Sequence, residues 1–438
     1  MKDLLCLLAI FCCLPSACAA QQVLQLNMKQ AIEIATSPEG SASVQTAEAV
    51  MQASKARVSY ARSLLFPAID ASIGESNLTR NLSAEGFNFP TGVPNFTIPD
   101  EVGPFNNFDA RVTMSYTVFD LGAIRRSHGL RANLDAAKAD ITVRREVTAA
   151  QVAHDYLLVL RAESSSEAAR AGVALSESLL KVAQDRADVG KATSLDITRA
   201  KLTLLTDRRK LTTVENEAAQ ARLQLLSDLG VGFATKVELT DHLLSKTDAM
   251  PDIEAAVATA LQGRPELQVA QKHVDEARYN NSAVSGERIP LITASGDVGP
   301  LASVVTHTVG VSAKIPVFDG GRIRARHAET QAIVRQSEIQ ERDLRRKIEL
   351  EVRRAHADLH SAAGQVEECQ MALTLAADEV AEARRRFEAG VTGNAELAEA
   401  QAKRARAQDD CIGALFTWNQ GRIDLARATG TMTAFTLN

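Results

Sequence analysis

Proline is missing from two long stretches of the sequence, from Phe105 to Met250 and from Val317 to the C-terminus. A proline inside a helix costs about 3 kcal/mol, so its absence permits long uninterrupted helices. Both stretches are rich in Ala, Leu, Glu, Arg and Gln, which favour helices. We therefore predict two helical hairpins, each with a first helix roughly 100 Å long at 1.5 Å per residue. The predicted helices span 123–188, 194–227, 322–388 and 394–427, and the turns contain Gly190 and Gly390.

The chain also has no excess of basic charge. Its formal net charge is −5 at pH 7, whereas nucleic-acid binding requires a concentrated basic surface, so nucleic acid is excluded as the main partner. The sequence contains no phosphate-binding loop and no convincing catalytic triad. His356 and His360 are spaced like zinc ligands on a helix, but Ala357 stands where a metalloprotease has its general-base glutamate. We therefore predict no enzyme activity, no cofactor and no metal site.

Long apolar runs are confined to the N-terminus. Residues 1–20 combine Lys2, an apolar stretch from Leu4 to Leu14 and the small residues Ala17-Cys18-Ala19, which is typical of a secretory signal peptide. No later window has the roughly 20 apolar residues of a membrane-spanning helix. The sequence predicts an exported protein that does not enter a membrane by helices.

Cysteine is scarce in the predicted mature chain. Four of the six cysteines fall within residues 1–20, and only Cys369 and Cys411 remain. These two lie at equal distances on either side of Gly390, in the two predicted helices of the second hairpin. In an oxidising periplasm they would be able to form a disulfide. Two unpaired small core residues are the alternative, and the sequence leaves both open.

One sequence motif occurs twice in the chain. TVFDLGAIRR at Thr117–Arg126 returns as PVFDGGRIRA at Pro316–Ala325, and Gly190 has a later counterpart in Gly390. Such repetition indicates a duplicated chain. The predicted organisation is a signal peptide (1–20), a first repeat (21–230), a connector (231–251), a second repeat (252–430) and a C-terminal tail (431–438). Each repeat holds a helix, a β-hairpin at about 67–120 or 290–318, and a long helical hairpin at about 122–229 or 321–428.

The repeated motif lies at the two predicted junctions between a strand and a long helix. An aspartate at such a junction can cap the free N–H groups of the new helix, and glycine permits a sharp change of backbone direction. The junction residues are Asp120, Gly122, Asp319, Gly320 and Gly321.

Alternating apolar and polar residues before each long helix predict strands. The pattern is strong over 108–119 and 305–317, and weaker over their predicted partners, 67–76 and 290–298. Period-two alternation is typical of a sheet with one apolar face. A soluble sheet packed on helices is one interpretation, but export and the rod-like helices, which offer little core, favour a membrane sheet. Because lipid does not tolerate open sheet edges and four strands cannot close alone, the membrane interpretation requires oligomerisation.

In its motifs the chain resembles the outer-membrane efflux proteins, the family of TolC-like outer membrane factors. The resemblance rests on VFDGGRIRA, the proline-led LLFPAIDASIG and RIPLITASG, GRPELQVAQ at Gly263–Gln271, and the turn AGVTGNAELAEAQ. These occur in order over nearly the whole mature chain. The resemblance implies a mainly α fold with a small β part. In this fold the two β-hairpins of each chain contribute to a trimeric 12-stranded outer-membrane β-barrel, continued by a periplasmic α-helical barrel.

The function implied by the resemblance is an export duct of a tripartite efflux or type I secretion system in a Gram-negative bacterium. Its implied partners are two further copies of the chain in a homotrimer, a periplasmic adaptor (membrane fusion) protein, an inner-membrane pump and outer-membrane lipid. A soluble periplasmic coiled-coil adaptor or scaffold is the alternative, although such a protein has no need of two lipid-matched hairpins.

The resemblance also implies a gate at the hairpin tips. Placing Gly390 on the family's turn glycine puts Glu396 and Glu399 on the carboxylate positions at the tunnel entrance, and Asp196 matches them in the first hairpin. Three copies of each would concentrate negative charge in a narrow throat and attract cations. The alternative is that acidic residues near a helix start only complement the helix dipole.

Two tip positions depart from the family pattern. The basic residue of some members is Thr392 here, and the tip aromatic is Phe387, which has no hydroxyl group. We therefore do not expect a salt-bridged or phenol-bonded lock in the closed state.

Overall fold

The structure, a computed structural model, describes residues 24–82, 84, 86, 99–190, 192–243, 250–301, 304–389, 391–392 and 394–437. The predicted signal peptide and Gly390 lie outside these residues. The helices are α1 Met28–Thr36, α2 Ala42–Ser63, α3 Leu121–Asp188, α4 Ser194–Leu229, α5 Ile253–Gly263, α6 Pro265–Gly286, α7 Arg322–Glu388 and α8 Asn394–Thr429, followed by a 3₁₀ turn at Met432–Ala434. The strands are β1 Leu24–Leu26, β2 Ala68–Asn81, β3 Glu101–Phe119, β4 Val237–Leu239, β5 Leu291–Leu301 and β6 Val304–Lys314.

The fold class is confirmed as mainly α with a small β part. The long helices α3 and α7 lie in the stretches without proline, and α4 and α8 follow them after short turns. In the part of the chain that the structure describes, no helix is both long and apolar enough to cross a membrane.

The first two strands of the sheet are longer than predicted. The sequence pattern stops at 76 and starts again at 108, whereas β2 runs to Asn81 and β3 begins at Glu101. The backbone ladder continues through the polar pair Asn77 and Asn106 and the apolar pair Leu78 and Phe105, and the Asn77 side chain donates to Asn106 Oδ1 over 2.7 Å. Alternation of apolar residues does not reveal this extension, because Asn77 and Asn106 are polar on the otherwise apolar face and the pair Leu78 and Phe105 is apolar on the other face. The last strand is shorter than predicted and ends before Pro316, which has no N–H to offer a ladder.

Contacts divide the chain into two compact units. The first unit comprises Met1–Thr46, Val143–Arg264 and Ile348–Asn438. The second unit comprises Ala47–Thr142 and Pro265–Lys347.

The second unit contains a four-stranded sheet of order β2-β3-β5-β6, with each neighbouring pair antiparallel. Residues directly opposite each other share a face. One row across the sheet pairs Ile69 with Met114, Met114 with Gly296, and Gly296 with Val309. The Ile69 and Val309 side chains at its two ends are 69% and 86% exposed. One face of the sheet is therefore apolar, and among the described residues nothing covers its two ends.

The adjacent row of the same sheet is polar. It pairs Asp70 with Thr113, Thr113 with Asp297, and Asp297 with Thr308. Arg111 also lies on this face, and its Nη1 is 2.8 Å from Asp297 Oδ1. The opposite face of the sheet is therefore suited to water.

The first unit has an apolar core built from α1, α3, α4, α8 and the C-terminal turn. Its buried members include Ala31, Ile32, Val152, Tyr156, Leu157, Leu225, Leu229, Ile423 and Met432. Three ion pairs then join α3 to α4 at intervals of seven residues, as in a coiled coil. These pairs are Glu163–Arg222, Arg170–Glu215 and Glu177–Arg208, with nitrogen–oxygen distances of 2.6, 2.8 and 2.7 Å.

A small parallel pair of strands, β1 with β4, was not predicted from the sequence. It is fixed by Asp241, whose Oδ2 accepts the Met28 N–H over 2.8 Å and lies 2.9 Å from the Tyr156 hydroxyl. That hydroxyl also lies 2.9 Å from the Leu26 carbonyl oxygen. Burial and the neighbouring Asp241 carboxylate raise the pKa of Tyr156, so the phenol stays neutral.

Candidate functional site

The turn of the first helical hairpin depends on Gly190. Its φ of 73° lies in the left-handed region, which glycine adopts without strain. Its N–H donates to the Ala187 carbonyl over 2.9 Å, which closes the end of α3. The corresponding glycine of the second hairpin, Gly390, lies outside the described residues.

Asp196 forms a capping box with Thr193 at the start of α4. Its Oδ2 accepts from the Thr193 N–H over 2.9 Å and from Thr193 Oγ1 over 2.7 Å, and its own N–H donates to Thr193 Oγ1 over 3.3 Å. The hydroxyl and then the N–H of Thr193 lower the pKa of Asp196. Within one chain, Asp196 therefore caps a helix, which is the alternative role that the sequence left open for the tip acids.

The two acidic residues at the start of α8 have different partners. Glu396 Oε1 is 2.7 Å from Arg386 Nη1, so an ion pair joins α8 to the end of α7. Glu399 Oε1 is 3.7 Å from Lys403 Nζ, which lies closer to Glu379, at 2.8 Å. The Glu399 side chain is 71% exposed, against 43% for Glu396. Glu399 is thus the more accessible of the two.

Phe387 and Arg186 connect the two helical hairpins, a contact that the sequence did not predict. The Arg186 guanidinium carbon is 3.8 Å from the Phe387 ring centre, and Nη2 donates to the Phe387 carbonyl over 3.3 Å. Phe387 is buried with Ala383 and Leu397, and Leu179 of α3 packs against them. Phe387, which has no hydroxyl group, thus contacts Arg186 through the face of its ring. The only sequence signal for it is that an arginine precedes both turn glycines at the same distance.

Thr392 follows the second turn glycine. Its hydroxyl oxygen is buried and has no hydrogen-bond partner among the atoms that the structure describes.

Cys369 on α7 and Cys411 on α8 come together in disulfide geometry, with Cα atoms 5.1 Å apart. That separation lies within the range of protein disulfides. We propose that the two cysteines form a disulfide bond in the exported protein.

Each junction aspartate caps the long helix that follows it. Asp120 Oδ1 accepts from the Ala123 N–H over 2.8 Å at the start of α3. Asp319 accepts from the N–H groups of Gly321 and Ile323 over 3.0 and 2.9 Å at the start of α7. These side chains satisfy N–H groups that have no partner within the helix.

The junction glycines serve two different purposes. Gly320 and Gly321 have φ values of 63° and 87°, so they provide the change of direction expected of them. Gly122 instead lies within the first turn of α3, where it makes room for a neighbour. A Cβ on Gly286 would lie 3.0 Å from the Gly122 N, so the two chain segments approach closely.

Several arginines follow the junction aspartates, although cations are unfavourable at a helix N-terminus. Glu287 forms ion pairs with three of them. Its carboxylate lies 2.7 Å from Arg326, 3.3 Å from Arg322 and 3.6 Å from Arg126. No sequence pattern indicated this cluster, since Glu287 lies in a different predicted element.

The spaced histidines His356 and His360 lie on α7. His356 Nε2 lies 3.0 Å from the Pro251 carbonyl oxygen. Across the described part of the chain, no group of three or more His, Cys, Asp or Glu side chains is placed to hold a metal ion.

The sequence model of one protein family, described as outer membrane efflux protein, matches residues 36–231 and 256–431. The chain belongs to the outer membrane efflux protein family. As a member of this family, the protein acts in efflux at the outer membrane. The alternative of a soluble periplasmic adaptor is thereby set aside.

Individual relatives agree with this assignment. The chain is 28% identical over 367 residues to the protein CyaE of Bordetella pertussis, covering 80% of this chain and 73% of that protein. It is 24% identical over 386 residues to the pyoverdine export outer membrane protein OpmQ of Pseudomonas aeruginosa, covering 84% and 77%. The outer membrane protein VceC of Vibrio cholerae has the same fold, with a TM-score of 0.76 at 15% identity over 92% of this chain and 96% of VceC.

Proposed function

We propose that three copies of the chain form an export duct of a tripartite efflux or type I secretion system. In this proposal the sheets of the three copies close a 12-stranded barrel in the outer membrane, and the helical hairpins form a tunnel in the periplasm. An inner-membrane pump delivers the substrate through a periplasmic adaptor protein, and the duct provides a gated path.

The observation that carries this proposal is the sheet with one apolar and one polar face. The row from Ile69 to Val309 presents apolar side chains to the outside of the chain, as a lipid-facing surface does. The adjacent row from Asp70 to Thr308 presents polar and charged groups, as the wall of a water-filled channel does.

The edges of the sheet support closure between copies. Strands β2 and β6 lie at the two edges and are 14 and 11 residues long, with backbone groups available for pairing. Successive strands of the sheet alternate in direction, so β6 of one copy and β2 of the next would pair antiparallel without breaking the alternation. Such pairing satisfies the edges, as lipid requires.

The width of the pore favours three copies over two. A barrel of about eight strands has an interior just wide enough to be filled by its own side chains, whereas larger barrels leave an open channel. Because each chain supplies four strands, two copies would give a filled barrel and three copies a wider one.

We propose the periplasmic gate at the hairpin tips, where Asp196, Glu396 and Glu399 would each occur three times. Glu399 carries most of this proposal, because it is the more exposed glutamate and its lysine partner is closer to another carboxylate. Rings of carboxylates of this kind attract cations.

The test begins with fractionation of cells that express the full chain. We expect the protein in outer membranes, as an oligomer that resists SDS until it is heated. Reconstituted into planar bilayers, it should conduct ions with a preference for cations. The variant Glu399→Gln should lower that preference, and Glu217→Gln, which removes a charge from an exposed position on α4 far from the turn, should leave it unchanged. Recovery as a soluble monomer, or a bilayer without conductance, would contradict the proposal.

A further inference from the structure

The four strands of the sheet in the second unit all connect to helices at the same end of the sheet. In the register, the start of β2 lies beside the end of β3, which lies beside the start of β5, which lies beside the end of β6. The stretches that join these strand ends to α2, α3, α6 and α7, together with the adjoining helix ends, are named the junction segments. They are residues 62–67, 120–126, 286–290 and 315–326.

Three of the junction segments contact one another through Glu287. Its carboxylate, in the segment before β5, forms ion pairs with Arg126 in the segment after β3 and with Arg322 and Arg326 in the segment after β6. The fourth segment, before β2, adjoins them because β2 pairs with β3. The junction segments therefore form one continuous surface at this end of the sheet.

This surface is basic, although the chain as a whole is acidic. The junction segments contain seven arginines, no lysine and three acidic residues, whereas the net charge of the chain is −5. All three acids are engaged within the protein. Asp120 and Asp319 accept from N–H groups of the long helices, and Glu287 binds arginines. The surplus of positive charge is thus left for a partner outside the chain.

Three of the seven arginines carry most of that surplus. The side chains of Arg62, Arg288 and Arg324 are exposed, and none of them has an ion-pair or hydrogen-bond partner among the described residues. A guanidinium presents its N–H groups in a planar fork that matches two oxygens of a phosphate group, and lysine does not offer this geometry. Arginine without lysine therefore favours phosphate as the partner.

Exposed apolar side chains lie between these arginines and the sheet. They are Phe66 before β2, Ile289 before β5 and Phe318 after β6, with exposures of 67%, 43% and 91%. In each of these segments the apolar residue comes between the strand and the unpaired arginine. Apolar groups next to a membrane strand, followed by long cationic side chains, are arranged as the acyl chains and headgroups of a bilayer are.

We propose that the junction arginines bind the phosphate groups of anionic phospholipids in the leaflet of the outer membrane that faces the periplasm. The inference rests on the proposed duct, in which the sheet spans the membrane and the long helices enter the periplasm. The junction segments then lie where the chain leaves the membrane. The negative headgroups complement the arginines, and the neighbouring apolar side chains suit acyl chains, which a free phosphate does not have.

The test measures which phospholipids bind to the assembled protein. The full-length oligomer is reconstituted into phosphatidylcholine bilayers with a trace of spin-labelled phosphatidylglycerol or spin-labelled phosphatidylcholine. Electron paramagnetic resonance then gives the fraction of each label that the protein immobilises. We expect an association constant about two- to fivefold higher for the anionic lipid. This preference should decrease as sodium chloride is added, because salt screens exposed charges.

The variant that tests the site replaces the three unpaired arginines together, as Arg62→Gln, Arg288→Gln and Arg324→Gln. Its association constants for the two lipids should become nearly equal. The control replaces three exposed arginines of α7 that lie about 16–33 Å further along the helix than Arg324. These substitutions, Arg335→Gln, Arg342→Gln and Arg346→Gln, remove the same charge and should leave the lipid preference unchanged.

The outcomes separate this inference from the proposed function. A conducting oligomer that binds both lipids equally, or whose preference survives the triple substitution, would overturn the lipid site and leave the duct standing. A soluble monomer would overturn both. Loss of the preference in inorganic phosphate, but not in sodium chloride of equal ionic strength, would assign the arginines to free phosphate instead. If the triple variant does not assemble, a preference of the unmodified protein that does not respond to salt would contradict the proposal.

Discussion

Arg186 and Phe387 hold the tips of the two helical hairpins together through a contact between a guanidinium and a ring. The variant Phe387→Leu keeps an apolar side chain in the buried cluster but removes the ring beneath Arg186, 3.8 Å away. A cation–π contact of this kind contributes about 0.5–1 kcal/mol, so local opening near the turn should become about two- to fivefold more frequent. Limited trypsin digestion followed by mass spectrometry would detect the more frequent opening as faster cleavage after the arginines that precede the turn.

The matched control for that experiment is Phe387→Tyr, which keeps the face of the ring. It should be cleaved at the rate of the unmodified protein. If Phe387→Leu is also cleaved at that rate, the ring contact does not hold the tips.

We expect Asp228 to make the stability of the first unit depend on pH. Burial, together with a hydrogen bond shared with Asp155, raises the pKa of Asp228 to about 6, whereas an aspartate in the unfolded chain has a pKa of about 3.9. The folded chain therefore binds more protons than the unfolded chain between these values, and the contribution of Asp228 to stability falls as pH rises from about 4 to 6.

The variant Asp228→Asn removes this titration. Relative to the unmodified protein, its free energy of unfolding should increase by about 1 kcal/mol as pH rises from about 4 to 6, after allowance for the solvent exposure of the group. Urea denaturation at a series of pH values measures the difference. Parallel stability curves for the two proteins would show that Asp228 titrates normally.

At the residue scale, the sequence predicted where individual functional residues lie better than it predicted which residues they contact. It identified the junction aspartates because a cap is a local feature, decided within three or four residues. It missed Glu287, Arg186 and the contact of Tyr156 with Asp241, because each depends on residues that are far apart in sequence. Such pairs carry no spacing rule that a single sequence can reveal.

Helices α7 and α8 bring Cys369 and Cys411 close together. Because the two Cα atoms are 5.1 Å apart, we expect a disulfide in the exported protein. Mass spectrometry of the non-reduced mature chain should show a mass lower by two hydrogen atoms than the reduced chain.

The disulfide closes a loop with a sequence separation of 42 residues. Its loss in the double variant Cys369→Ser, Cys411→Ser should lower the free energy of unfolding by about 2–4 kcal/mol. A reductant should lower the stability of the unmodified protein similarly and have no effect on the double variant. Two free thiols in the exported chain would contradict the prediction.

At the element scale, the sequence predicted the long helices well because composition and missing proline act over dozens of residues. It was weaker where an element is short or polar. Strands β1 and β4 have three residues each, too few to show a period. The division of the chain into two repeats stays a prediction, supported by two separate matches to one family model and by helix bounds that differ by 200 residues.

The two faces of the sheet make a prediction about the assembled molecule. Val309 lies on the apolar face and is 86% exposed, and its neighbour Thr308 lies on the polar face. A lysine on a lipid-facing position costs about 2–4 kcal/mol at the bilayer midplane and less near the interfaces. Val309→Lys should therefore reduce the yield of heat-sensitive oligomer in outer membranes, as measured by SDS gels of unheated and heated samples.

Thr308→Lys places the same charge one residue away on the polar face. Its oligomer yield should remain close to that of the unmodified protein. Equal losses in the two variants would mean that the apolar face does not contact lipid.

The open edges of the sheet also affect how readily the unassembled chain aggregates or is degraded. Strands β2 and β6 end the sheet on either side, and a newly exported chain carries both edges through the periplasm. Unpaired strand edges promote aggregation, and in the proposed duct they become paired only when other copies assemble with the chain. Since assembly depends on concentration, its speed should rise steeply with the amount of chain exported. Cells that express the protein weakly should therefore lose a larger fraction of the newly exported chains to periplasmic proteases than cells that express it strongly.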